Sequence, residues 1–274
     1  MLKSIVSIIG VAIALSPSAI GFKAVNGTDN SPRYGSNFRG GTIQYREDRT
    51  IYYSTDKTIE YENPYGVSSF VPSMPNSCVI EAAGNAIVYY DRLYNELVPD
   101  YQGKYNIRGD YTYGKQNDGV NKMFQELSAA MGSDSEGTTV NGFIGGVKSY
   151  VIGKGRTATL TKATGSYFNI SYDYLKNQLE QEKVAVVFLN GCAIVDIRTG
   201  IQSNDGYDVV SNTIMSGHHS MLIYGYKDIY YYDSKGNITE RDTYLYAEDA
   251  YGGHSYLTVD NYSVIDDIYI LDIK

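Results

Sequence analysis

Two short stretches of the sequence hold residues that could act as a nucleophile and its base. Cys78 stands where an apolar pattern with helical spacing begins, and His219 opens an apolar, β-prone run that closes on Gly225 and Tyr226. A thiol in the first turn of a helix lies where unpaired N–H groups and aligned peptide dipoles favour negative charge, so we expect a lowered thiol pKa. An imidazole that faces this thiol can take its proton and return it later. The pair therefore predicts nucleophilic chemistry at sulfur.

A base of this kind needs an acceptor that orients its ring. Asp249 follows a predicted strand that can pair beside the strand of His219, and its carboxylate could hold the ring N–H. Asp233, Glu248 and Asn261 are alternatives for the same role. Because successive side chains of a strand point to opposite faces, only one of the two adjacent histidines should face the cysteine. We assign that position to His219.

Attack by sulfur creates an oxyanion, which needs hydrogen-bond donors. The backbone N–H of Cys78 lies at the expected helix start, and the side-chain amide of Asn76 can add a second donor. His218, His219 and His254 could instead bind a metal, but they lack the paired acidic spacing of a metal motif. We therefore expect neither a metal nor an organic cofactor.

The elements that must position these residues fall into two groups along the chain. A helix is predicted from Ser77 to about Leu97, with Asn76 or Ser77 as its N-cap and Pro99 beyond its end. Further helices are predicted over residues 121–131, 142–151 and 171–182. Strands are predicted over residues 42–45, 50–53, 184–189, 220–226, 229–232, 238–247, 255–259 and 267–273, with a charged turn between the first two. Helices followed by antiparallel strands indicate an α+β protein.

Composition and charge narrow the classes of partner. The chain has 274 residues, 43% hydrophobic and 20% charged, which is ordinary for a globular protein. Its net charge of −8 disfavours nucleic acid or an anionic membrane surface as the main partner. The 29 tyrosines, against 7 phenylalanines and no tryptophan, are typical of half-buried strands in an exported sheet. A tyrosine-lined groove for peptide or sugar is the alternative interpretation.

The N-terminus is typical of a secretory signal. In residues 1–24, Lys3 precedes an apolar run from Ile5 to Leu15 that is too short to span a bilayer of about 30 Å. We expect an exported, secreted protein with no stable membrane anchor after signal removal, and a monomer. Residues 25–70, rich in Gly, Asn and Ser, could be a pro-segment, a linker or a sheet extension, and residues 71–274 form the main domain.

Three windows of this sequence resemble a known family. The stretch Pro-Asn-Ser-Cys-Val-Ile-Glu-Ala-Ala, the stretch Gly-His-His-Ser-Met-Leu-Ile-Tyr-Gly-Tyr and the stretch Asp-Ala-Tyr-Gly look like papain-superfamily cysteine peptidases. The likeness is greatest to the bacterial branch that includes bacteriocin-leader-processing and related secreted peptidases. It implies that Cys78 is the nucleophile, His219 the base and Asp249 the orienting residue. It also implies that Tyr251 shields the last two from water.

The resemblance implies a papain-like α+β architecture and hydrolysis of a peptide or protein substrate. A helical lobe would carry Cys78, and an antiparallel sheet would carry His219 and Asp249. The sequence differs from the family pattern in two ways: Val79 and Ile80 follow the cysteine, and residues 70–77 lack the usual glutamine donor. Asn76 is the expected substitute for that donor.

Three alternatives remain at this point. An acyl transferase of the transglutaminase type would use the same residues with an amine as the acceptor. A non-catalytic, tyrosine-rich binding protein would keep the fold without the reaction, and the two differences from the family pattern favour it. A disulfide between Cys78 and Cys192 would leave no nucleophile, whereas the reactive-thiol hypothesis makes Cys192 a small apolar residue at a strand end.

Overall fold

The computed structural model describes residues 31–35, 43–163, 169–202, 205–250, 252–259 and 263–274. The proposed signal, residues 1–24, lies outside these ranges. The described residues form an α+β protein in which four helices pack with a large antiparallel sheet. The class predicted from the sequence is therefore confirmed at this level.

Four helices lie in the described residues: α1 Cys78–Asp91, α2 Asp118–Met131, α3 Val140–Gly153 and α4 Tyr172–Leu179. Side-chain caps fix where three of them begin, because Asn117, Thr139 and Ser171 each accept an N–H of the first turn. Left-handed Gly132 follows α2. These caps explain why α2 and α3 begin earlier than the apolar pattern predicts.

Helix α1 differs from its prediction in length and in burial. It ends at Asp91, where the carboxylate accepts the backbone N–H of Val98 at 2.8 Å and holds the returning chain. The prediction that it runs to Leu97 is therefore wrong. Every residue of α1 is buried, rather than one face alone. Buried Asn85 is satisfied by the segment that covers it, since its amide oxygen accepts the N–H of Phe70 at 2.9 Å.

The strands in chain order are β1 Arg33–Tyr34, β2 Ile43–Tyr53, β3 Thr55–Glu62, β4 Lys104–Tyr105, β5 Tyr111–Thr112, β6 Thr138–Thr139, β7 Ala158–Lys162, β8 Val184–Gln202, β9 Asp205–Tyr232, β10 Ile238–Glu248, β11 His254–Thr258 and β12 Ile265–Ile273. The main sheet has the order β2-β9-β10-β11-β8-β12-β7, and β3 also pairs with β9. Strands β8 and β9 pair directly as well, so β8, β9, β10 and β11 form a closed ring. Strands β1 and β6, and strands β4 and β5, form separate two-stranded pairs.

Strands β8 and β9 form one long hairpin that the sequence divides into shorter pieces. Its register runs from Gln202 opposite Asp205 to Ala185 opposite Ile223, with one irregularity between Asn190 and Cys192. Cys192 therefore lies inside β8 rather than at a strand end. The paired strand on each side supplies the continuity that short apolar runs in the sequence do not reveal.

The predicted charged turn in residues 46–49 is instead part of β2. Arg49 donates to both carboxylate oxygens of Asp242, at 2.9 and 2.8 Å, and also contacts Glu240. These charge-assisted hydrogen bonds, both from Nη2, pair the guanidinium with β10 without a turn. The charges that favour a turn in the sequence thus become cross-strand partners.

The sheet separates two apolar cores. On one face, helices α1 to α3 pack with Val186, Phe188 and Leu222; on the other face, α4 packs with Val187 and Ile223. This division follows strand alternation, because neighbours in the chain point to opposite faces. The nucleophile candidate lies in the first core.

Tyrosine hydroxyls bind carboxylates within the sheet. Tyr53 and Tyr231 both donate to Asp208, at 3.1 and 2.9 Å, and Tyr244 donates to Asp242 at 2.7 Å. Each phenol buries its ring and satisfies an acidic group with its hydroxyl. The abundance of tyrosine is therefore used in part to build the sheet.

Candidate functional site

Cys78 lies at the junction between α1 and β9. Its side chain has 0% exposure, and the backbone N–H groups of Cys78 itself, Val79 and Ser220 act on its sulfur in the direction that lowers the thiol pKa. The first two belong to the helix start, and the third follows His219 in β9. The thiol is therefore next to the segment that carries the predicted base.

Burial reverses the expected shift of the thiol pKa. The three N–H groups lower it, but desolvation is the largest effect and raises the pKa of Cys78 to about 12. The expectation of a lowered pKa is therefore wrong for the closed protein. The sequence shows the helix start, whereas the water-free surroundings come from packing.

His219 is fully buried and held through one ring nitrogen. Its Nε2 lies 2.9 Å from the backbone carbonyl oxygen of Asp249. A carbonyl oxygen only accepts, so Nε2 carries the proton and Nδ1 of the neutral ring carries the lone pair. Burial lowers the pKa of His219 to about 4, although Asp249 opposes this shift. The ring is accordingly neutral near pH 7.

Asp249 contacts the histidine through its main chain. Its carboxylate oxygens accept from the backbone N–H of Gly253 at 3.1 Å and from Ser255 Oγ at 2.8 Å. These bonds close the turn that presents the Asp249 carbonyl oxygen to His219. The sequence-based hypothesis assigned ring orientation to the carboxylate, whereas the observed contact gives this task to the backbone.

Asn76 and Ser77 precede the cysteine in an unusual local conformation. Asn76 has a φ of 51°, and its side-chain amide donates to the carbonyl oxygen of Ser135. Ser77 is the N-cap residue but makes no side-chain cap, contrary to the expectation for this pair. Its buried Oγ has no hydrogen-bond partner in the described part of the chain. Ser77 is thus a donor beside Cys78 that the sequence reasoning did not assign.

Of the other candidates, His218 lies on the face of the sheet that carries α1. Its ring packs edge-on against Tyr34, with centroids 5.2 Å apart, in the core that contains Cys78, whereas His219 is in register with Leu189 of the core on the α4 side. Asp233 closes the turn before β10. His254 is exposed and packs against Tyr224. Asn261 and Tyr251 lie outside the described residues. Within those residues, no three His, Cys, Asp or Glu side chains form a group suited to a metal ion.

A buried carboxyl pair lies beside the site. Glu81 in the first turn of α1 is hydrogen-bonded to Glu248 at the end of β10, and both are buried. Desolvation, together with the Glu81 charge, raises the pKa of Glu248 well above its ordinary value. Glu248 Oε1 also accepts the N–H of Ala250 at 3.1 Å, in the turn that contains Asp249. The pair thus connects the helix of Cys78 to the turn that holds His219.

Cys78 and Cys192 are both free, buried thiols. The disulfide alternative is therefore not the state of this structure. Burial also raises the pKa of Cys192 to about 12. The two thiols differ in their neighbours: Cys192 packs in the core on the α4 side of the sheet, away from α1.

A cavity of about 600 Å³ opens between α4 and the sheet, and it is lined by Tyr172, Lys176, Arg241 and Thr258 among others. It lies on the opposite side of the sheet from α1. Lys176 is paired with Asp228 at 2.5 Å, so this cation is already neutralised. We therefore place the candidate site at Cys78 rather than at this cavity.

Comparisons of the chain with protein-family models, with curated proteins and with solved structures gave no match. Among the described residues, no helix is both long enough and apolar enough to cross a membrane.

Proposed function

We propose that this chain is a secreted cysteine peptidase of papain-like architecture, with Cys78 as the nucleophile and His219 as the base. The observations that support it most are the effect of the Ser220 N–H, one residue after His219, on the Cys78 thiol and the hydrogen bond from the His219 ring to the Asp249 carbonyl oxygen. Cys78, His219 and Asp249 thus come from three separate elements, and the Asp249 carbonyl oxygen holds the imidazole.

The reaction follows from these positions. His219 Nδ1 takes the thiol proton while sulfur bonds to the scissile carbonyl carbon, and the carbonyl π electrons move to oxygen. The N–H of Cys78, with the side chain of Asn76 or Ser77, would stabilise that oxyanion. As the C–N bond breaks, His219 protonates the leaving amine. Water then attacks the thioester carbon with His219 as its base, the C–S bond breaks to release the carboxylic acid, and the proton taken by His219 passes to sulfur.

The neutral resting state sets a condition on this mechanism. With pKa values of about 12 for the thiol and about 4 for the imidazole, proton transfer between them is unfavourable while both stay dry. Entry of water or of a polar peptide group would raise the imidazole pKa and lower the thiol pKa. Strand register also puts the His219 ring on the face of Leu189, opposite the core of Cys78. We therefore expect the nucleophile to form only when the site opens to bind substrate and the imidazole reaches the sulfur.

The test is hydrolysis of a mixed peptide substrate by the full chain and its variants. Cys78→Ala and His219→Ala should each lower turnover by about a thousand-fold or more, because neither partner acts alone. Cys192→Ala and His254→Ala are the matched controls and should retain turnover. Hydrolysis that survives either of the first two substitutions, in a folded protein, would refute the assignment. Products formed with added primary amine would separate hydrolysis from acyl transfer.

A non-catalytic binding protein on the same fold is the second candidate. The observation in its favour is the complete burial of Cys78 with its raised thiol pKa. It predicts peptide binding without turnover, and equal binding by the unchanged chain and the Cys78→Ala chain. The hydrolysis assay above distinguishes the two.

A further inference from the structure

Residues Arg33–Gly35 lie beside the candidate site as a short extended peptide. Strand β1 pairs antiparallel with β6, with Arg33 opposite Thr139. The Arg33 guanidinium also forms an ion pair with Asp134 at 3.1 Å. A two-residue strand that pairs through its backbone with a single neighbouring strand resembles a bound peptide that adds itself to a sheet edge.

Tyr34 fills a pocket in this segment. Its side chain has 3% exposure, and its ring packs edge-on against Phe188 and His218, with centroids 4.9 and 5.2 Å away. Its hydroxyl donates to Asp266 Oδ2 at 2.7 Å. The pocket thus offers an aromatic wall for the ring and an acceptor for the phenol. Asp266 is itself exposed, so the phenol hydroxyl gives tyrosine one hydrogen bond that phenylalanine lacks.

The position after Tyr34 has room for the backbone of a residue but not for a side chain. A Cβ built on Gly35 would lie 2.9 Å from Asn76 Cβ and 2.8 Å from the carbonyl oxygen of Glu136. A Cβ on Gly137 would lie 2.2 Å from the carbonyl oxygen of Tyr34, and Gly137 has a φ of +111°. Two glycines therefore allow the two backbones to approach closely.

The segment borders both halves of the candidate site. Gly35 is against Asn76, two residues before Cys78, and Tyr34 is against His218, the residue before His219. The Nδ1 atom of His218 is buried and has no hydrogen-bond partner within the described ranges. A polar group of a longer or shifted peptide could satisfy it.

We propose that the pocket occupied by Tyr34 is a specificity pocket for the substrate, which binds a tyrosine that is followed by glycine in an extended peptide. The chain's own Arg33–Gly35 occupies this pocket in the resting protein and competes with substrate. This inference rests on the proposed peptidase function for its biological meaning, but peptide binding to the pocket can be measured without turnover. The recognised sequence is Arg-Tyr-Gly, with Asp134 for the cation and Asp266 for the phenol.

The experiment measures binding of a fluorescein-labelled peptide, Ser-Pro-Arg-Tyr-Gly amide, by anisotropy. The full chain carries Cys78→Ala in every case, with either Tyr34 or Tyr34→Ala. We expect the Tyr34→Ala chain to bind at least about tenfold more tightly, because a tethered competitor acts at millimolar effective concentration. Peptides with Ala for Tyr, or with Val for Gly, should bind that chain at least about tenfold more weakly.

A Tyr34→Ala chain with an unchanged circular dichroism spectrum that binds all three peptides equally, or none, would overturn the inference. If that chain does not fold, Tyr34→Phe replaces it, since this change removes only the hydroxyl bond to Asp266. Several-fold tighter peptide binding by the Tyr34→Phe chain supports the pocket, and unchanged binding overturns it. Tyr-Gly-selective binding by a chain that hydrolyses nothing would refute the peptidase and keep the pocket. Hydrolysis with no preference for Tyr-Gly would refute the pocket and keep the peptidase.

Discussion

The Cys78 thiol and the His219 imidazole are both neutral in the resting protein, and burial is the cause. Desolvation raises the pKa of Cys78 to about 12 and lowers that of His219 to about 4. The N–H groups at the start of α1 act in the direction that the sequence predicts, but they are outweighed. A buried, protonated thiol is a poor nucleophile, so burial protects Cys78 from oxidation and alkylation.

The buried histidine should make stability depend on pH. Its pKa is about 6.5 in the unfolded chain and about 4 in the folded protein, so the unfolded chain binds the proton first. The contribution of neutral His219 to the free energy of unfolding is complete above pH 6.5, and it is lost as the pH falls from there to about 4. Between these pH values, the His219→Gln chain should lose up to about 3 kcal/mol less unfolding free energy than the unchanged chain, as measured by urea unfolding.

His254→Gln is the matched control, because His254 is exposed. Its unfolding free energy should follow that of the unchanged chain across the same pH range. Parallel losses of stability in the His219→Gln chain and the unchanged chain would contradict the burial of a neutral His219.

At the residue level, the sequence predicts which side chains carry the chemistry but not how they are held. Cys78 and His219 are prominent because rare residue types open a helical and a β-prone pattern. The role of the Asp249 main chain depends on the turn that Gly253 and Ser255 close. Backbone acceptors have no signature in residue type, so the sequence points to the carboxylate instead.

At the level of elements, the carboxyl pair Glu81–Glu248 joins the start of α1 to the end of β10. Two buried carboxyl groups are compatible only when one keeps its proton, which it donates to the other. Here Glu248 is that group, because its pKa is raised well above the ordinary value. The shared proton stabilises the folded protein fully at a pH below the pKa that Glu248 has in the unfolded chain. This stabilisation is lost as the pH rises through the pKa that Glu248 has in the folded protein.

The Glu248→Gln substitution should keep the hydrogen bonds that join the start of α1 to the turn after β10, and it should remove their sensitivity to high pH. The glutamine amide can donate to Glu81, and its oxygen can accept from Ala250. We expect the Glu248→Gln chain to lose less unfolding free energy than the unchanged chain as the pH rises. Glu248→Ala should cost about 2–4 kcal/mol, because it leaves buried partners unsatisfied.

Glu62→Gln, on an exposed carboxylate of β3, is the control and should change stability by no more than about 0.5 kcal/mol. If the Glu248→Gln and unchanged chains lose stability in parallel at high pH, Glu248 does not hold the shared proton.

Elements were predictable where one local signal dominates. The apolar repeat of α2 and the β-branched start of β8 indicate their type correctly, and the caps set the ends that the repeat leaves undefined. Strand β2 was not predictable across residues 46–49, because Arg49 is satisfied by Asp242 in a distant strand. Local charge favours a turn there, and long-range pairing overrides it.

At the level of the whole molecule, the closed ring of β8, β9, β10 and β11 holds the two halves of the candidate site together. It places the turn after β10 beside β9, where α1 brings its cysteine. The α+β class follows from the order of patterns along the chain. The closed ring of strands does not follow from that order, because it depends on pairs such as Tyr256 and Val195, whose members are far apart in the sequence.

The central claim is that Cys78 and His219 act as one unit on a peptide carbonyl. Modification by a peptidyl chloromethyl ketone, followed by intact mass measurement and peptide mapping, tests it most directly. The account predicts a single adduct at Cys78, formed about a hundred-fold more slowly in the His219→Ala chain, with Cys192 unmodified. Modification of Cys192 at a similar rate, or an adduct whose rate is unchanged in the His219→Ala chain, would contradict it.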